Sequence, residues 1–165
     1  MSTTIEGIDA RGYLIGWAKA VTGMTVADIK AIPDEKWTAT FGGCTRPCNE
    51  LTADTISLLN WVTGELTGTK SGGDYMETMK QLAADVSTKG AAIAKFTESV
   101  DNLAAALAGA TDERLNSMVT PPWQMETPLY MVALIAVSHI WYHDGQFNYV
   151  HCLLGDNKVH WMGEG

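Results

Sequence analysis

The sequence predicts an all-α protein: a four-helix bundle with long irregular loops between the helices. Three observations lead there. Apolar residues recur at steps of three and four along most of the chain, no useful stretch alternates with the two-residue period of a strand, and glycine and proline clusters cut the chain into four helical pieces. With 165 residues, 46% of them hydrophobic, and 6 Trp, the chain can bury one sizeable core. Residues 1–165 therefore read as one domain, without internal repeats or low-complexity tracts.

The elements follow in order. Residues 5–22 set Ile8, Leu14, Ile15, Ala18 and Val21 on roughly one face, the first helix. Thr25 suits the cap of a separate short turn over 26–32, which Pro33-Asp34 ends. Residues 37–49, with Gly42-Gly43 and Arg46-Pro47, form a loop. Glu50 to Leu66 is the second helix, through Leu51, Ile56, Leu58, Leu59 and Val62, and a glycine-rich break spans residues 67–73. From Asp74 to about Leu107, the residues Met79, Leu82, Val86, Gly90, Ile93, Phe96, Val100, Leu103 and Leu107 step by three or four. This pattern predicts a single amphipathic helix of about 30 residues, roughly 45–50 Å long. Gly90 lies on its apolar stripe, where it would admit another backbone closely. Pro121-Pro122 keeps residues 110–127 irregular. Thr127 as cap and Pro128 in the first turn open the last helix, which runs to about Leu154 and stops at Gly155. The tail from Asp156 to Trp161 is too apolar for a free end and is expected to fold back onto the bundle.

Charge and cysteine content exclude several functions. A net charge of −8, with 11 scattered Lys and Arg, gives no basic face for nucleic acid or anionic membranes. Met1 to Gly7 lacks the charged and apolar regions of a signal peptide, and the longest apolar run, Leu129 to Val137, is far short of the ~20 residues that span a bilayer. Three cysteines fit a reducing compartment, so a soluble, cytoplasmic protein is expected. Cys44 and Cys48 form a CxxxC spacing without the second pair of a zinc knuckle and read as free thiols, and Cys152 reads as core. No catalytic serine triad order, phosphate loop or dinucleotide fingerprint is present.

The chemistry is concentrated in the last helix, where His139-Ile-Trp-Tyr-His143-Asp-Gly-Gln146 places two imidazoles at i and i+4. On a helix they share a face about 5–6 Å apart, close enough for one metal ion to take a nitrogen from each. The pair serves equally well as hydrogen-bonded core histidines. Gln146 shares their stripe, and Gln146 and Tyr142 are candidates to orient a histidine or a ligand. Arg46, between the two loop cysteines, is a candidate for the pocket mouth, where it would meet an acidic substrate group. His151 lies two turns beyond His143, too far to ligate the same ion, and His160-Trp161 reads as tail docking.

The run His139-x-x-Tyr142-His143-Asp-Gly-Gln146-x-Asn148-Tyr149, followed by Leu153-Leu154-Gly155-Asp156 and His160-Trp161, resembles the DinB-like superfamily. The resemblance is sharp over 138–161, weaker over 46–66, and follows helix order throughout. It implies a four-helix bundle that holds a divalent metal through one histidine of the second helix and the HxxxH pair of the fourth. The second helix of this chain, from Asn49 to Ile56, has no histidine, and the family's position falls on Asp54. The implied ligand set is then Asp54, His139 and His143, with zinc, nickel, iron or manganese as the metal. Asp54 alternatively serves the helix N-terminus, as the carboxylate that its dipole favours.

The resemblance implies a metal-dependent enzyme acting on a small molecule, with thiol S-transferase-like chemistry on a low-molecular-weight thiol, and a homodimer. The alternative is a non-catalytic, stress-related bundle with a relict or ligand-binding pocket and no metal.

Overall fold

The computed structural model describes residues 9–69 and 74–162. Six helices carry the fold: α1 (Ala10–Ala31), α2 (Cys48–Thr67), α3 (Tyr75–Asp85), α4 (Lys89–Gly109), α5 (Asp112–Asn116) and α6 (Leu129–Leu153). Two-residue strands β1 (Met118–Val119) and β2 (Thr127–Pro128) pair antiparallel ahead of α6. The long helices α1, α2, α4 and α6 form the bundle: α1 packs on α4 and α6, as does α2, so α1 and α2 stand diagonally opposite. α3 lies against α2. Between them sits a core of apolar side chains, including Ile29, Leu59, Phe96, Leu103, Ile140 and Phe147. No described helix is long and apolar enough to cross a membrane.

Local chemistry sets most boundaries. Asp9, Asp74, Thr88 and Thr111 each cap a helix by accepting the backbone N–H of its third residue. Gly68 and Gly155, at φ 74° and 83°, take the left-handed conformation that ends α2 and α6.

Several expectations are corrected. α1 runs without a break to Ala31, so Thr25 is an interior residue and not a cap. Thr22 returns its hydroxyl to the Ala18 carbonyl at 2.7 Å, and burial of Val21, Thr25, Asp28 and Ile29 carries the helix through Gly23. The expected start of this helix at residue 5, with Ile8, lies outside the described residues, as do residues 70–73 of the glycine-rich break. The single long third helix is two helices. Val86 ends α3 with its N–H on the Leu82 carbonyl, and Thr88 caps α4. Gly90 is exposed, and among the described residues no backbone of another element comes within 4 Å of where its Cβ would lie. Pro128 occupies the cap position of α6, while Thr127 donates its hydroxyl to the Met125 carbonyl and caps nothing.

One polar cluster interrupts the core between α1 and α6. The Asp28 and Asp144 carboxyls face each other, with the Thr25 hydroxyl toward Asp144 and Asn148 donating to Asp28 Oδ2 at 2.8 Å. Burial, together with the neighbouring Asp28 charge, pushes the Asp144 carboxyl up to about 7. A carboxyl raised in this way stabilises the fold fully below its unfolded value of 3.8 and loses that contribution as pH rises to about 7. The buried imidazoles of His139 and His151 are lowered and oppose this, since their contribution grows as pH rises toward 6.5. The two effects separate when a variant is compared with wild type at each pH. Relative to wild type, Asp144→Asn should gain stability as pH is raised from about 4 to 8. Urea midpoints at both ends test this, and a difference independent of pH would refute it.

Candidate metal centre

His139 and His143 stand one turn apart on α6, with ring centroids 4.4 Å apart. The packing of α2 on α6 brings Asp54 to the same point. One ligand atom from each of the three residues lies within 4.8 Å of the others. His143 Nε2 is 3.4 Å from Asp54 Oδ2. Zinc-type bonds of about 2.0–2.2 Å put neighbouring tetrahedral ligand atoms about 3.4 Å apart, so this edge has the required length. Among the described residues, His139 Nδ1 and His143 Nε2 are buried without a hydrogen bond, two desolvated polar atoms beside Asp54.

The tautomer of His143 sharpens this. Gln146 Oε1 lies 2.5 Å from His143 Nδ1, and its amide nitrogen faces the Tyr142 hydroxyl at 3.5 Å. A carbonyl oxygen only accepts, so Nδ1 carries the proton. In the neutral ring Nε2 then turns a lone pair toward Asp54 Oδ2, an arrangement that calls for a proton or a cation between them. The Tyr142 ring stacks on His139 at 6.0 Å and meets His143 edge-on at 5.0 Å, although its own surface is mostly exposed.

Charges around the triad reinforce it. Burial alone would raise the Asp54 carboxyl, but its contacts with His143 and with the Arg46 guanidinium, and the His139 ring once protonated at low pH, hold it well below the usual carboxylate range. Burial, and then the neighbouring His143, lower His139 to about 4, so it is neutral at physiological pH. Arg46 donates to Asp54 Oδ2 at 2.7 Å and to the Glu50 carbonyl at 3.0 Å, directing its guanidinium onto the protein beside the pocket. Tyr75, at the start of α3, joins the site unannounced by the sequence. Burial and the Asp54 charge push its phenol up, keeping it a proton donor beside Asp54.

Asp54 and His139 form a wall shared by two open cavities. One, about 780 Å³, lies between α2, α3 and the loop before α6, lined by Trp61, Tyr75, Trp123 and Ile135 among others. The second, about 660 Å³, is lined by Cys44, Arg46, Tyr142, His143, Gln146 and Tyr149. Of the cysteines, Cys44 is exposed at this second cavity, and Cys48 is buried with its thiol pushed up to about 12. Cys152 is exposed and not core, correcting the expectation from sequence.

No family model and no curated protein matches the sequence. Solved structures do match. The mycothiol-dependent maleylpyruvate isomerase superposes with a TM-score of 0.67 at 14% identity, over 88% of this chain and 63% of that one. A histidine-to-alanine mutant of that isomerase gives 0.67 at 15%, with the same coverage. This chain has the DinB-like fold. It spans 63% of the length of those DinB-like neighbours, and at this identity the likeness is one of fold.

Proposed function

We propose that this DinB-like bundle is a metal-dependent enzyme in which Asp54, His139 and His143 hold one divalent transition-metal ion, and that it catalyses thiol-dependent chemistry on a small molecule. The geometry that carries the reading is His143 Nε2 at 3.4 Å from an ionised Asp54, with Nδ1 of the same ring facing Gln146 Oε1, and His139 Nδ1 beside them without a hydrogen bond among the described residues. Two imidazoles and one carboxylate suit zinc, nickel, iron or manganese and leave positions for other ligands. A dication bound there would favour the thiolate form of a thiol and so supply a nucleophile near neutral pH.

The chain's own residues supply the rest. Gln146 fixes the His143 tautomer, Arg46 orients Asp54, and Tyr75 presents a phenolic proton toward the same carboxylate. Two cavities meeting at Asp54 and His139 give room for two reactants, a thiol and an electrophile. The dependence on mycothiol that names the neighbouring isomerase supports a thiol as one of them, and S-transfer to the electrophile is the form of the reaction we infer.

One observation favours the metal-free binding bundle: the Arg46 guanidinium already gives Asp54 a cationic partner at 2.7 Å. Elemental analysis of tag-free protein purified without chelator separates the two. One transition-metal ion per chain at this centre, with metal-dependent consumption of a low-molecular-weight thiol in the presence of electrophiles, is expected. An empty centre after incubation with all four metals under reducing conditions would leave the binding bundle.

Gln146→Leu provides a finer test. It removes the acceptor that fixes the His143 tautomer, so metal affinity should fall by about 10–100-fold while the fold is retained. Unchanged affinity in a chelator-competition titration would show that Gln146 does not orient the ligand.

A further inference from the structure

We propose a second divalent-cation site at the C-terminal end of α6, formed by His151, Asp156 and His160 and independent of the centre at Asp54. One ring nitrogen from each histidine and one carboxylate oxygen of Asp156 lie within 4.8 Å of one another. The turn that assembles them is built for close approach. Gly155 takes φ 83°, and the Asp156 N–H bonds the His151 carbonyl at 2.9 Å, folding the chain back over the helix end. The His151 and His160 rings are 4.5 Å apart.

Each side chain is already oriented. His151, only 2% exposed, places Nε2 3.1 Å from the Asp28 carbonyl of α1. That oxygen accepts, so Nε2 carries the proton and the other ring nitrogen keeps a lone pair. A backbone carbonyl holding one nitrogen is how metal-bound imidazoles are commonly oriented. Asp156 divides its oxygens: Oδ1 accepts the Lys158 N–H at 3.0 Å, and Oδ2 lies 3.1 Å from His160 Nε2. Among the described residues His160 Nε2 is buried without a hydrogen bond, with the Asp156 carboxylate beside it at the centre of the cluster. Two imidazoles and a carboxylate, with the Asp156 side open to water, suit zinc and its neighbours cobalt and nickel. Eight residues of helix separate His143 from His151, about 12 Å of rise, so one ion cannot serve both sites. A cation here clips the 160–162 turn to α6 beside the buried Asp28.

The test uses the full-length, tag-free His143→Ala chain, which lacks a ligand of the first centre, titrated with cobalt and zinc. We expect one ion per chain, a visible cobalt absorption of the four-coordinate type, and a thermal midpoint that rises with metal. Adding His160→Ala or, with less disturbance of the tail, Asp156→Asn should weaken binding by ~10–100-fold or more and abolish the thermal rise. His143→Ala that binds no ion while its circular dichroism remains helical would overturn the site, as would an ion retained by both double variants. The first centre stands or falls separately. A wild-type chain with one ion, lost in His143→Ala, supports that centre and refutes this one. A single ion kept in His143→Ala and lost with Asp156→Asn does the reverse.

Discussion

His143→Ala is expected to give a folded protein whose first metal centre no longer fills. The imidazole is 2% exposed and sits between Gln146 and Asp54, so its removal deletes a ligand and leaves Gln146 Oε1 without the ring N–H it accepts. Loss of that half-buried hydrogen bond destabilises by about 1 kcal/mol, within the range a domain of this size survives. The effect on metal should be much larger. Outer partners of ligands change affinity by about 10–100-fold, so removing a ligand should exceed the upper end of that range. Thiol-dependent turnover should then fall by at least ~100-fold. The comparison is cleanest in an Asp156→Asn background, where the second cluster is disabled and every ion counted belongs to Asp54, His139 and His143. Tyr142→Phe is the matched control. Among the described residues its hydroxyl meets the Gln146 amide alone, at 3.5 Å, and its ring stacking on the histidines survives, so occupancy should hardly change. Full occupancy in His143→Ala would mean that the ion is held elsewhere.

The last helix was legible because its site is local. Two histidines four residues apart share a helical face whatever surrounds them, and Gln146 follows three residues on. Asp54 required more, since only the resemblance over residues 46–66 gave the phase of α2 against α6; the structure brings the three side chains together. Tyr75 was invisible because its contact with Asp54 arises from how α3 lies on α2, which no periodicity records. The break at 86–88 was hidden for a related reason. Val86 is fully buried, so the apolar stripe crosses the break, and only the Ser-Thr pair hints at a new cap. In α1 the error ran the other way. Thr25 suggests a boundary as a cap residue, but burial on the α6 side outweighs that and the roughly 1 kcal/mol that Gly23 costs the helix. α6 is apolar almost all round, so its sequence could not tell exposed Cys152 from buried His151. The second cluster depends on a chain reversal at Gly155 and on a carbonyl 123 residues away, information that enters only with tertiary structure.

Trp37→Ala should destabilise the protein more than His143→Ala or Asp144→Asn, and it should loosen the metal centre as well. The indole is 1% exposed, lies 6.4 Å from the Phe147 ring of α6, and donates Nε1 to the Val86 carbonyl at 2.9 Å. That carbonyl sits at the α3–α4 break, so one side chain joins the core, the break and the loop preceding α2. Truncation of a buried tryptophan costs about 3–5 kcal/mol, and the Val86 carbonyl left unpaired adds about 1 kcal/mol or more. At about 2–4 °C per kcal/mol for this chain length, the thermal midpoint should fall by roughly 10 °C or more. Tyr13→Ala, at a position 70% exposed, should stay within about 0.5 kcal/mol of wild type. The consequence for the site follows from the chain path. The Trp37 carbonyl accepts the Asn49 N–H at 3.3 Å, and Asn49 also donates its amide to the Ala83 carbonyl at 3.0 Å, which fixes both ends of the loop that carries Arg46. When the indole is lost, the Arg46–Asp54 pair loses its support, so metal affinity should drop even where the protein remains folded. A Trp37→Ala protein that melts within about 2–3 °C of wild type would show that the core closes over the space and that the loop is held by other contacts.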